Sequence, residues 1–192
     1  VPGSIAIILM LIGALLTALV VAREWERGTM EALLATPVGI FELLVGKLVP
    51  YFVLGMLTMA LATGTALFLF GVPFRGSFAV LALMSAVFLV TALAQGLLIS
   101  TLARNQLVAA QSTMISAFLP SFFLSGFVFE IAGMPLPLRV ISYAVPARYF
   151  VSGLQTLFLA GDVWSVIWTS LLGMSVIAAL YIGLTALKTK TR

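Results

Sequence analysis

Uncharged apolar blocks alternate with short polar connections along the whole chain, and five of the blocks, residues 4–22, 48–74, 76–103, 107–129 and 163–187, are about as long as a membrane crossing. A hydrocarbon core about 30 Å thick needs roughly 20 apolar residues in a helix. The pattern therefore predicts an all-α integral membrane fold in the lipid bilayer, a single domain with five transmembrane helices. The two long connections differ. Residues 23–47 are charged, whereas residues 130–162 carry Pro135, Pro137 and Pro146 and stay mostly apolar. Within the second, residues 149–161 are uncharged and set Phe150, Leu154, Leu157 and Phe158 at helical spacing. A helix of that length rises about 20 Å, too little to cross. The expectation is a re-entrant helix hairpin over about 130–161, marked by Glu130, Pro135, Pro146 and Arg148.

Charge sets an orientation. Counted by alternate connections, Arg23, Arg27, Lys47, Arg104, Lys188, Lys190 and Arg192 fall on one side, and Arg75, Arg139 and Arg148 on the other. Positively charged connections stay in the cytoplasm, so the first set is expected inside and the hairpin on the outer side. This puts Val1 outside and the C-terminus in the cytoplasm. No basic stretch precedes the first block, which is thus no signal peptide. The expectation is a parent with one more span upstream, six in all, and both ends cytoplasmic.

Composition narrows the chemistry. Hydrophobic residues make up 62% of the chain and charged ones 8%, against about 25% charged in a soluble domain. Without Cys or His there is no thiolate nucleophile and no imidazole base. The net charge of +4 comes from scattered residues, a topology signal rather than a basic patch for nucleic acid. Gly39 to Lys47 superficially resembles a phosphate loop, but six residues rather than four separate Gly39 from Gly46, and Leu48 stands where a Ser/Thr would hold Mg²⁺. No catalytic, cofactor or metal site is expected on this chain, and if it takes part in active transport the energy must come from another polypeptide.

Alternative functions are an ion-coupled secondary transporter and a non-transport membrane scaffold. Ion coupling needs ionisable groups deep in the membrane, and every Asp, Glu, Lys and Arg here lies at a block boundary or in a connection. The hydroxyls of Ser100, Thr113 and Ser116 have no base within plausible reach for hydrolysis. Gln95 with Gln111, Ser112, Thr113 and Ser116 offers polar groups for a pathway or for interhelical hydrogen bonds. The small-residue row Ala92, Gly96, Ser100 and the shorter Ser121, Ser125 fit close packing within one bundle or a dimer seam, and the pattern leaves both open.

The densest cluster of charge is Arg23-Glu24-Trp25-Glu26-Arg27-Gly28-Thr29-Met30-Glu31. As one helix over about 24–35 it would place Glu24, Arg27 and Glu31 along one row, beside an apolar stripe of Met30, Leu33 and Leu34. Pro37 ends it. The run REWERGTMEALLATPVGIFELLVGKLVPYFVLG, with GVPFRGS, LLISTLARNQ, LPSFFLSGFVFEIAGMP and ISYAVPARYF farther on, resembles the membrane subunits of ABC-2 type exporters over essentially the whole chain.

The resemblance implies an ATP-driven exporter permease of the bacterial inner membrane, with an additional first span and, in one branch of the family, an extracytoplasmic domain upstream. It makes the charged segment a coupling helix, with Arg23, Glu24, Glu26, Arg27, Gly28, Thr29 and Glu31 facing a partner ATPase. It further implies two ATPase subunits carrying ATP and Mg²⁺, and a second copy of the permease or a homologous permease. Apolar lining would suit an amphipathic, drug-like or lipid-linked cargo.

Overall fold

The computed structural model describes residues 2–190. Val1 and Arg192, placed above on opposite sides, lie outside the described residues. The helices in chain order are α1 (Gly3–Glu26), α2 (Thr29–Leu34), α3 (Ile40–Phe68), α4 (Phe78–Ala103), α5 (Gln106–Leu124), α6 (Leu136–Ser142), α7 (Pro146–Leu159) and α8 (Trp164–Lys190). Among the described residues α1, α3, α4, α5 and α8 are long and apolar enough to cross a membrane.

Two boundaries differ from the apolar blocks. α3 begins at Ile40, not near residue 48, and takes Glu42 and Lys47 into its first turns. The carboxylate sits at the helix N-terminus, where the macrodipole favours it, and Lys47 finds a partner on another helix. α5 stops at Leu124, because Gly126 adopts φ +89° and the chain turns before residue 129.

α4 is the hub, packed against α1, α3, α5, α7 and α8. From Thr91 to Leu97 every residue is buried, as expected of a helix surrounded on all sides. The small-residue row is what lets α1 approach. A Cβ on Gly13 would stand 2.8 Å from the Ala92 Cβ, and one on Gly96 would run into the Ala14 carbonyl. Ala92 and Gly96 thus seat α1 within the chain rather than a second copy. Near this crossing α1 widens into a π-helical stretch, Leu11–Leu16, and α5 does the same at Met114–Phe118. The two stretches touch each other, and the first packs directly on α4.

α7 occupies a slot beside α4, α8 and α1. Its C-terminal end meets the α3–α4 connection, where the Arg75 amide donates to the Leu157 carbonyl (3.3 Å) and the Ser77 amide to Asp162 Oδ1 (2.9 Å). Its other half lies deeper. The Phe150 ring stacks on Phe88 at 4.2 Å and 8°, ten residues along α4 from Phe78 and so about 15 Å from that end. The periodic residues Phe150, Leu154, Leu157 and Phe158 are fully buried. α6 packs on the last turns of α5, Leu119–Leu124, while α7 runs beside α4 with its C-terminal end at the α3–α4 connection.

Candidate functional site

The charged segment is built from two helices. α1 continues through the charges to Glu26, and Gly28 then takes φ +69°, a left-handed conformation that Gly enters at little cost. This rotates α2 away from the axis of α1 and corrects the expectation of one helix over 24–35: Glu24 and Arg27 lie before the break, Glu31 after it, and the single row is not formed. The Thr29 hydroxyl donates to the Glu24 carbonyl (3.1 Å) across the corner. Met30, only 1% exposed, packs with Val21, Leu44 and Leu97 and holds α2 against α1, α3 and α4.

The charges separate into two groups. Glu24 forms an ion pair with Lys47 of α3. Glu26 accepts hydrogen bonds from the Gln106 backbone (3.0 Å) and side-chain amide (2.7 Å) at the start of α5. The Arg104 guanidinium lies 4.3 Å above the Trp25 ring. These contacts bind the ends of α1, α3, α4 and α5 to one another. Arg23, Arg27 and Glu31 are exposed, as is Glu26 despite its two hydrogen bonds. A cleft of about 470 Å³ opens beside Glu31, lined also by Trp25, Leu34, Arg104, Thr189 and Lys190.

The polar residues proposed for a pathway do not share one face. Gln95, 5% exposed, donates from Nε2 to the Ser116 carbonyl inside the π-helical turn of α5 (3.3 Å). Thr113 is buried and donates to the Ala109 carbonyl (2.8 Å), Ser116 donates to the Ser112 carbonyl (2.5 Å), and Gln111 is exposed. Gln95 is the one residue of α4 in the set, and it meets Ser116, which is bonded to Ser112 within α5.

In the hairpin, Pro135 precedes the first turn of α6 and Pro146 begins α7, positions that need no amide hydrogen. Arg148 spans the corner between them: it donates to the Arg139 carbonyl (3.2 Å) and the Ser142 hydroxyl, and its guanidinium lies 3.8 Å from the Tyr143 ring centre. Glu130 lines a separate, mostly apolar hollow.

The profile of the ABC-2 family transporter proteins matches residues 1–187. The chain belongs to the ABC-2 transporter family. Along its full length this ABC-2 chain is 54% identical to the "Probable multidrug ABC transporter permease YbhS" of Escherichia coli K12, covering 51% of that protein. It is 30% identical over 93% of its length to the "Probable multidrug ABC transporter permease YbhR" of the same organism, covering 48% of it. It is 28% identical over 97% of its length to the "Inner membrane transport permease YhhJ", covering 50%. The ABC-2 chain spans about half the length of these curated relatives. No solved structure matches it.

The pairs that shape the charged end of the ABC-2 chain were not legible individually, although some signals were present. Asn105 accepts from the Leu107 and Val108 amides (2.9 and 3.1 Å), the mark of a helix start, and this fixes Gln106 opposite Glu26. Nothing local singles out Lys47 as the partner of Glu24.

Proposed function

We propose that this chain is the membrane-spanning part of an inner-membrane permease subunit that exports amphipathic, drug-like or lipid-linked molecules, driven by ATP hydrolysis on two separate ATPase subunits. The end bearing Arg104 and Lys190 is cytoplasmic, as is the C-terminus. Family membership supports the ATPase partners and a second copy of this permease or a homologue. ATP and Mg²⁺ are held by the ATPases.

The observation that carries the coupling role is the division of charge around α2. Glu24, Glu26 and Arg104 are engaged within the chain, while Arg27 and Glu31 project from a corner clamped by buried Met30. A stiff element packed on three spans transmits displacement to all of them. Arg23, Arg27, Gly28, Thr29 and Glu31 are then the contact surface, with Glu24 and Glu26 tying it to α3 and α5. The hairpin of α6 and α7 closes the outer end as a re-entrant element, a reading supported by the 14-residue length of α7 and by the hydrogen bond that ties Asp162, just beyond it, to the α3–α4 connection.

The test is co-purification of the ATPase with the complete permease, together with its hydrolysis rate, in wild type and in an Arg27→Glu/Glu31→Lys variant. Exposed substitutions of this kind change folding by no more than about 0.5 kcal/mol. The variant should insert normally and lose most of its bound ATPase. Full retention of ATPase and of hydrolysis would leave α2 an ordinary interfacial helix.

A further inference from the structure

Beyond the coupling end, a lateral hollow of about 680 Å³ lies between the second half of α5 and residues 129–138. Its volume is that of a small-molecule site. Its wall is almost entirely apolar, formed by Leu119, Phe123, Phe129, Met134 and Leu138 among others, and Glu130 is the one charged residue that lines it. Phe123 and Phe129 stand nearly parallel, ring centres 6.2 Å apart and 19° between planes. Among the described residues the Glu130 carboxylate has no ion-pair or hydrogen-bond partner. The nearby Arg139 guanidinium is occupied by the Ile131 and Ala132 carbonyls and does not line the hollow.

We infer that this hollow is a binding site for lipophilic organic cations, with Glu130 supplying the counter-charge. The inference rests on the exporter reading and names the cargo class.

A carboxylate beside apolar surface favours a cation able to leave water cheaply. Sodium or magnesium requires several converging oxygens, and no cluster of three or more acidic groups exists among the described residues. An aromatic or quaternary cation spreads its charge over apolar surface, fits the hollow by size, and gains attraction from aromatic rings. A neutral acyl chain would gain nothing from Glu130, and an anionic headgroup would be repelled by it.

The experiment uses the complete permease with its ATPase in nanodiscs of zwitterionic lipid, with binding counted above that of empty discs. The probes are tetraphenylphosphonium, its anionic isostere tetraphenylborate, and neutral triphenylphosphine oxide. Wild type should bind the phosphonium in preference to the borate. Glu130→Gln should weaken phosphonium binding about tenfold and leave triphenylphosphine oxide binding unchanged. Phe123→Leu should weaken the phosphonium several-fold, as expected from the loss of one aromatic wall. The inference is overturned if Glu130→Gln binds the phosphonium as wild type does, or if wild type takes both tetraphenyl ions alike, as a lipid-filled groove would. ATPase co-purification is measured on the same samples and should be unaffected by Glu130→Gln. Phosphonium binding without bound ATPase in wild type would sink the exporter reading and spare the cation site; bound ATPase with no phosphonium binding would do the reverse.

Discussion

The Glu26 carboxylate receives both amides of Gln106, backbone at 3.0 Å and side chain at 2.7 Å, so the last turn of α1 is tied to the first turn of α5 across eighty residues of sequence. The two bonds differ in what a substitution removes. Glu26→Ala frees the Gln106 amide, and hydrogen exchange over residues 104–110 should quicken. Gln106→Ala keeps the backbone donor, so protection should persist there. Equal exchange in wild type and Glu26→Ala would show that the turn is held by other contacts.

The Glu24–Lys47 pair is partly buried, with side-chain exposures of 29% and 17%. Its loss falls between the small value of a surface pair and that of a buried one, so Glu24→Lys should cost about 1–2 kcal/mol. Restoring opposite signs with Glu24→Lys/Lys47→Glu should recover most of it. The check is thermal unfolding of the single and double variants in one detergent. Failure of the swap to recover stability would mean that Glu24 is held by its backbone contacts alone.

These two pairs mark where sequence reasoning stopped. The spans were legible because charge is expensive inside a bilayer and its absence over twenty residues has few other meanings. The buried face of α7 was legible for a similar reason, since Phe150, Leu154, Leu157 and Phe158 follow helical spacing and all are buried. Lys47 was read as a boundary because it is charged, yet the ion pair with Glu24 lets α3 begin seven residues earlier. The corner at Gly28 was hidden by a run of charges that would also fit one helix. The π-helical turns at Leu11–Leu16 and Met114–Phe118 pack against each other, and their apolar sequences carry no mark of them.

The α1–α4 crossing yields a paired test. A methyl group at Gly96 meets the Ala14 backbone, which cannot move aside as a side chain would. Gly96→Ala should destabilise by about 1–3 kcal/mol, the usual range for overpacking. Gly183 in α8 has nothing within 4 Å of an added Cβ. Gly183→Ala should be neutral or stabilising by up to about 1 kcal/mol, since Ala favours helix over Gly. Thermal melts of both variants decide it: tolerance at position 96 would mean that the helices separate readily at the crossing.

The α6–α7 hairpin makes the sharpest topological claim. α7 has 14 residues and rises about 21 Å, short of the roughly 30 Å apolar core, and its end at Asp162 is tied to Ser77 beside Arg75. Residues on both flanks of the hairpin should therefore meet the same solution. The chain contains no cysteine, so each single substitution in it adds one reporter, read against the protein without that substitution. Cysteines at Arg75, Ala132 and Asp162 should react with an impermeant maleimide added outside intact cells, while cysteines at Arg104 and Lys190 should react only after permeabilisation. Reaction at Ala132 and Asp162 from opposite sides would make α7 a crossing helix. Every connection before it would keep its side, α8 and Lys190 would be inverted, and the outward seat of the hairpin would have to be abandoned.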